Sequence, residues 1–317
     1  MYAVILLSNW SVQMCATRRD VLKWGAGAGG LATAAAFGIP STATAASWAY
    51  RSWMGSLSSS LPITSLTIPG THNTCSTRGG FVAKCQDWDL PTQLGNGIRF
   101  LDIRLNGLAG TANEMGLYHS DIYMNKRYQD VLSDCRNFLS SNPGEVIIMR
   151  IKNEYSGGNK LNTEEFKRRF NWHLDDPSMG FRSLFRTNPS WLTLGQARGK
   201  VVLLTDFTHD WDTLRWSNHC DIQDQYNVPD DTKRNAIVAH FDKAFYDQST
   251  SKMFINFTST AKGPIPNPSV GAGKIFPSVY AYLDPRRHQR ARFGIVPMDF
   301  PNYRTDILDL LINKNFI

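Results

Sequence analysis

What most restricts the folding of this chain is a pattern that recurs along it: a short apolar run that ends on a polar or charged side chain. Such runs occupy 63–68, 100–103, 116–118, 146–151, 201–204, 253–257 and 294–296. All but 253–257 lead into a polar residue of note: His72, Arg104, His119, Lys152, Asp206 and Asp299 in turn. Between some of them lie helical spacings. In 128–139, Val131, Leu132, Cys135, Phe138 and Leu139 fall on one helical face, and a Ser-Asn-Pro-Gly stop follows at 141–144. Segments 163–170 and 231–246 are further predicted helices. Strands alternating with helices imply a mostly parallel sheet, and polar residues gathered after strand C-termini are how a (β/α)8 barrel builds an active site. The expected fold is therefore α/β, a single (β/α)8 TIM-like barrel, irregular or incompletely closed, over residues 47–317. The Gly- and Pro-rich segment 262–277 reads as one long surface loop. At 42% hydrophobic and 19% charged, the chain is rich enough in apolar residues to bury such a core.

The first 46 residues read as an address. TRRDVLK at 17–23 resembles a twin-arginine export signal, a Gly/Ala-rich apolar run at 24–39 follows, and ATAA at 43–46 suits a signal peptidase. That run is too short for a spanning helix. Met14 stands nearer the arginine pair than Met1, so either is a candidate start. The expected destination is the periplasm or the medium. Arg18, Arg19 and Lys23 against Asp20 carry two of the seven net positive charges away with the leader. The modest positive remainder suits anionic partners such as phospholipid headgroups. No basic run marks a nucleic-acid groove, so nucleic acid is not expected as a partner. A monomer is expected. Export would expose Cys75, Cys85, Cys135 and Cys220 to an oxidising compartment. Cys75 and Cys85 are the pair expected to form a disulfide first, with buried free thiols as the alternative. None of the four has zinc-site spacing. His173, His219 and His288 read as surface residues.

His72, Arg104 and His119 form a chemically sufficient set. Cleaving a phosphodiester needs a base for the attacking hydroxyl, an acid for the leaving oxygen, and positive charge on the nonbridging oxygens. Two imidazoles and a guanidinium meet those needs without a metal or other cofactor.

The surrounding motifs make this specific: LTIPGTHNT at 66–74, QLGNGIRFLDIR at 93–104, LYH at 117–119, and NPGEVIIM at 142–149 with Lys152, Glu154 and Tyr155. GKVVLL at 199–204, QDQY at 223–226, INFTS at 255–259 and PMD at 297–299 follow. In this order they resemble bacterial phosphatidylinositol-specific phospholipase C of the X-domain family, across nearly all of 61–299. The resemblance implies a catalytic barrel that cleaves phosphatidylinositol to diacylglycerol and a 1,2-cyclic inositol phosphate. It makes His72 the general base, Asp299 its orienting carboxylate, Arg104 the phosphate-binding cation and His119 the general acid. Asp102 would hold the arginine or the acid. Lys152, Asp224 and Tyr226 match positions that hold the inositol or stack beneath it.

Two departures stand out. Asn73 replaces the aspartate of Bacillus-type enzymes, and Asp206 falls where they carry an inositol-binding arginine. Both are still expected to face the substrate, Asp206 by accepting hydrogen bonds from ring hydroxyls. Two other readings compete: a metal-dependent glycerophosphodiesterase or sphingomyelinase-like enzyme, and a non-catalytic barrel that only binds. The first needs carboxylates around the first histidine, where Asn73 and Arg104 stand. Retention of His72, Arg104, His119 and Asp299 together speaks against the second.

Overall fold

In the computed structural model, which describes residues 50–154, 160–263 and 266–316, the apolar runs become strands. In chain order they are β1 (Thr67–Thr71), β2 (Phe100–Gly107), β3 (Met115–His119), β4 (Ile122–Arg127), β5 (Ile147–Asn153), β6 (Phe185–Arg186), β7 (Val201–Asp206), β8 (Leu214–Arg215), β9 (Cys220–Gln223), β10 (Met253–Asn256) and β11 (Gly294–Met298). The main path of the sheet runs β6-β7-β5-β2-β1-β11-β10-β9, with parallel pairing throughout. β6 and β9 stand at its two edges, so among the described strands the curled sheet is an irregular barrel left unclosed. β3 and β4 leave this plan. They form an antiparallel hairpin on the far half of β2.

Period-two alternation sorts the side chains into two layers. Ile68, Phe100, Ile148, Val202, Leu204, Ile255 and Ile295 pack together on the concave side. Their neighbours Leu101, Ile103, Met149, Ile151, Leu203 and Val296 point the other way, against helices that include Tyr128–Ser141, Thr163–Asp175 and Asp230–Tyr246. These helices agree with the predicted ones to within a few residues, except that the second runs five residues past its predicted end. Gly70 has to be glycine for the inner layer to close. A Cβ there would stand 2.8 Å from Phe100 Cδ1 and 2.9 Å from Phe100 Cβ.

The structure corrects several expectations. The first strand begins at Thr67, because Ile63–Ser65 makes a 3-10 turn instead. The expected surface loop 262–277 contains the start of a helix, Pro268–Leu283, whose buried face includes Ala272, Ile275, Phe276 and Val279. Asn267 caps it through Val270 N–H, and Pro268 occupies the first turn, where a missing N–H costs nothing. Cys75, Cys85, Cys135 and Cys220 are all free, buried thiols, so the expected Cys75–Cys85 disulfide is not present. Cys75 sits in a field set by Lys126 and Asp134, whereas Cys85 faces Asp299, Arg104 and the imidazole of His119. The leader 1–46 and Tyr155 lie outside the described residues.

Candidate active site

Counting in twos from the inner apolar layer leads directly to a cluster of charge. Past Ile68 and Gly70 comes His72. Past Phe100 come Asp102 and Arg104, past Ile148 come Arg150 and Lys152, past Leu204 comes Asp206, and past Ile295 and Pro297 comes Asp299. Strand register sets them side by side, Asp102 opposite Arg150, and Arg104 opposite Lys152, which in turn faces Asp206. Just after β1 and β11, Asn73 (φ 44°) and Phe300 (φ 46°) take left-handed conformations that turn the chain away immediately beyond His72 and Asp299. Gln86 ties those two strand ends together, its Nε2 donating to His72 O (2.7 Å) and Met298 O (3.0 Å).

His72 Nδ1 lies 2.7 Å from Asp299 Oδ1, and that carboxylate is 2% exposed. With Asp299 accepting from Nδ1–H, the acceptor Nε2 is left for another partner. His119 ends β3, and the hairpin brings it to a ring-centroid distance of 6.5 Å from His72. Its Nδ1 donates to Ala83 O at 2.6 Å. Burial lowers the His119 pKa, with the positive charges of His72 and Arg104 adding to the effect and the Ala83 bond opposing it. Arg104 donates from Nε and Nη2 to Asp102 Oδ2 (3.0 and 2.9 Å) and from Nη1 to Glu154 Oε1 (3.3 Å). Burial opposes its charge, but Asp102 and Glu154 outweigh that and hold the guanidinium firmly protonated. Asp102 is likewise kept well below the usual carboxylate range. Its burial is overcome by Arg104 and Arg150, with Asn73 N–H adding a hydrogen bond at 2.9 Å.

His72, Arg104, His119 and Asp299 open onto one cavity of about 340 Å³, which Lys152, Asp224 and Tyr226 also line. Lys152 is paired with Glu154 at 2.8 Å. The Asp224 pKa is raised by burial, partly offset by His72 and Lys233. Tyr226 is 55% exposed and presents its ring at the rim.

Two expected substrate contacts do not reach the cavity lining. The Asn73 side chain is buried and contributes through its backbone. Asp206 is held by Arg150, which donates to its Oδ2 from Nη2 at 2.5 Å and from Nε at 3.1 Å, so that oxygen is committed to a neighbouring strand rather than to a ring hydroxyl. Arg150 itself lines the cavity, binds Asp102 Oδ1 through Nη1 (3.0 Å), and stacks 3.9 Å above the Trp216 ring. Sequence reasoning passed over Arg150, Trp216 and the role of Glu154. Arg150 stands two residues before Lys152, so strand periodicity alone would have put the two on one face.

Residues 59–206 match the family model for the X domain of phosphatidylinositol-specific phospholipase C. A 1-phosphatidylinositol phosphodiesterase of Staphylococcus aureus is 27% identical, over 84% of this chain and 94% of its own length. One from Listeria monocytogenes is 28% identical, over 84% and 86%. Among solved structures, the phosphatidylinositol-specific phospholipase C of Listeria monocytogenes superposes with a TM-score of 0.72 at 27% identity, covering 84% of this chain and 99% of that one. A Staphylococcus aureus enzyme, solved in work on its membrane binding, gives 0.75 at 25% identity over 86% and 99%. Residues 59–206 thus carry the X-domain match, and the chain is homologous along most of its length to the bacterial phosphatidylinositol-specific phospholipases C of Staphylococcus and Listeria.

Proposed function

We propose that this protein cleaves phosphatidylinositol to diacylglycerol and a 1,2-cyclic inositol phosphate, with its own side chains supplying acid, base and charge. The observation that carries this reading is the pair of imidazoles, 6.5 Å apart and open to the same cavity as Arg104. His72, oriented by Asp299, takes the proton of the inositol 2-hydroxyl as its oxygen attacks phosphorus. Arg104 lies on the nonbridging oxygens, where its fixed charge stabilises the transition state. His119 returns a proton to the departing diacylglycerol oxygen. Lys152, Asp224, Arg150 and Tyr226 offer the donors, acceptors and ring face that an uncharged polyol requires.

Peripheral contact with the lipid surface fits the rim of the cavity. Val82 lines it, and beside Val82 stands Phe81, 62% exposed at the tip of the turn Gly80–Ala83. A Cβ on Gly79 would touch Ile122 Cγ2 at 3.3 Å, so the exposed Ile122 of the hairpin is close by. Three apolar side chains at the cavity mouth suit a bilayer interface. Export through the twin-arginine route, which rests on the sequence at 17–46, would put the enzyme where it meets foreign membranes.

Phosphorus NMR of the protein with phosphatidylinositol vesicles in excess EDTA tests the reading. The expected result is a cyclic phosphate resonance that grows at an undiminished rate. Absence of that product, or its appearance only with added calcium, would refute it.

A further inference from the structure

Cys85 has no part in the chemistry above, yet its sulfur sits at the base of it. Cys85 Sγ lies 3.8 Å from His119 Nδ1, and its thiol faces the Asp299 carboxylate. Donor atoms of His72, Cys85 and Asp299 all fall within 4.8 Å of one another. The backbone fixes this arrangement. Cys85 N–H donates to Ser76 O (2.8 Å), Cys85 O accepts from Phe300 N–H (2.9 Å), and the next residue, Gln86, holds the ends of β1 and β11. The three side chains therefore come from three chain segments stitched to one another, not from a flexible loop.

The geometry points to a binding site for a soft divalent cation, of the Zn²⁺ or Cd²⁺ class, formed by His72, Cys85 and Asp299, whose occupation switches the enzyme off. Nitrogen, sulfur and carboxylate oxygen are the donors zinc favours, and three protein ligands leave a fourth position open. Donors around a tetrahedral zinc stand about 3.3–3.8 Å apart, given metal–ligand bonds of about 2.0–2.3 Å. The present spacing closes to that by side-chain rotation. Thiolate and carboxylate together neutralise the dication, and the nearby charge of Arg104 is already met by Asp102 and Glu154. Entry is through the cavity, which His72 and Asp299 line.

The consequence for catalysis follows from proton positions and rests on the reading of His72 as the base. The metal takes Nδ1 of His72, so the proton that Nδ1 shared with Asp299 moves to Nε2. The Cys85 thiol loses its proton to solvent as the metal–sulfur bond forms. The imidazole stays neutral but is now the wrong tautomer, with N–H where the 2-hydroxyl proton must be accepted. Asp299 is removed from the dyad at the same moment.

The test uses CdCl₂ on the purified, chelator-free protein, followed by the ultraviolet thiolate-to-cadmium charge-transfer band and by phosphatidylinositol cleavage. In the wild type, the band is expected to saturate at one equivalent, activity to be lost over the same concentrations, and EDTA to restore it. In Cys85→Ser the basal rate is expected to persist, the band to vanish, and the inhibitory concentration to rise by about tenfold or more. His72→Ala, in which no activity readout is needed, should weaken the band while leaving Cys85 in place. A band unchanged in Cys85→Ser would assign the metal to another of the chain's cysteines and overturn the site. So would equal inhibition of wild type and Cys85→Ser. If the wild type binds cadmium as expected but cleaves no phosphatidylinositol, the metal site stands and the proposed function falls.

Discussion

His72 and His119 divide two proton transfers between them, and neither has a neighbour that can take over. Alanine at either position is expected to lower the rate by about 10²–10⁴ while the far-ultraviolet circular dichroism stays native. A variant retaining more than about a tenth of wild-type activity would remove that histidine from its role. Arg150 calls for a subtler change. It joins Asp102 to Asp206 with a planar fork and stacks on Trp216, and lysine can reproduce neither the fork nor the stack. Arg150→Lys should lower kcat/KM for phosphatidylinositol about tenfold, the kinetic equivalent of one weakened charge-assisted hydrogen bond. An unchanged kcat/KM would mean that the Asp102–Arg104 pair holds its geometry without Arg150. These residues also mark how far the sequence could be read. Strand position and motif located His72, Asp102, Arg104, His119, Lys152, Asp224 and Asp299. They did not reveal which neighbour each side chain would bind. Asp206 was expected to meet inositol because position along a strand says only which face a residue takes, while Arg150 on the next strand binds its Oδ2 and draws it away from the cavity lining. Asn73 was misjudged for a similar reason. Its left-handed backbone, which asparagine tolerates, turns its side chain into the core.

The strands were legible because apolar runs that end in charge have few alternatives in a barrel, and the helices with clean periodicity were found to within a few residues, the second running on past its predicted end. The helix Pro268–Leu283 was not found, and its composition explains why. Gly271, Gly273 and Pro277 sit inside it, and all three are ordinarily signs of a loop. Gly271 has a packing reason. A Cβ there would meet Thr260 Cγ2 at 2.7 Å and Thr260 O at 3.0 Å, so glycine lets the helix approach the segment after β10 that lines the cavity. Gly70 plays the same part on the inner face of β1, against Phe100. Gly70→Ala is expected to cost about 1–3 kcal/mol, as overpacking of a filled core does. It should also reduce activity, because His72 is two residues on. Urea unfolding and the cleavage rate measured together check this. A stable variant with full activity would show that Phe100 can move aside, and that the inner layer does not position the base.

Across the molecule, acid should weaken the fold in two stages, the first of them set by buried imidazoles. His119, His173, His209 and His240 all have lowered pKa values, burial being the leading cause in each case, and His209 falls to about 4. His173, read from sequence as a surface residue, is fully buried, with its Nδ1 donating to Arg169 O at 2.9 Å. Once unfolded, each of these rings would take up a proton as the pH falls through about 6.5, whereas the folded rings resist. The unfolded state therefore binds more protons between pH 6.5 and the folded values, and stability declines as pH drops across that window. Below it, the depressed carboxylates Asp102, Glu154 and Asp221 carry the same sign and extend the loss through the acid range. Asp224 and Asp309, raised by burial, carry the opposite sign. Calorimetry at pH 7, 6 and 5 should thus show a Tm that falls at each step. His209 isolates one contribution, because its Nε2 meets Thr205 Oγ1 at 2.6 Å and its Nδ1 accepts from Trp211 N–H at 3.0 Å, so both nitrogens are occupied and protonation must break a bond. His209→Gln should begin with a lower Tm at pH 7, having lost those contacts, and then decline less steeply to pH 5. A wild-type Tm that is flat or rising toward pH 5, or a His209→Gln slope as steep as the wild type's, would mean that these imidazoles take up protons without opposing the fold.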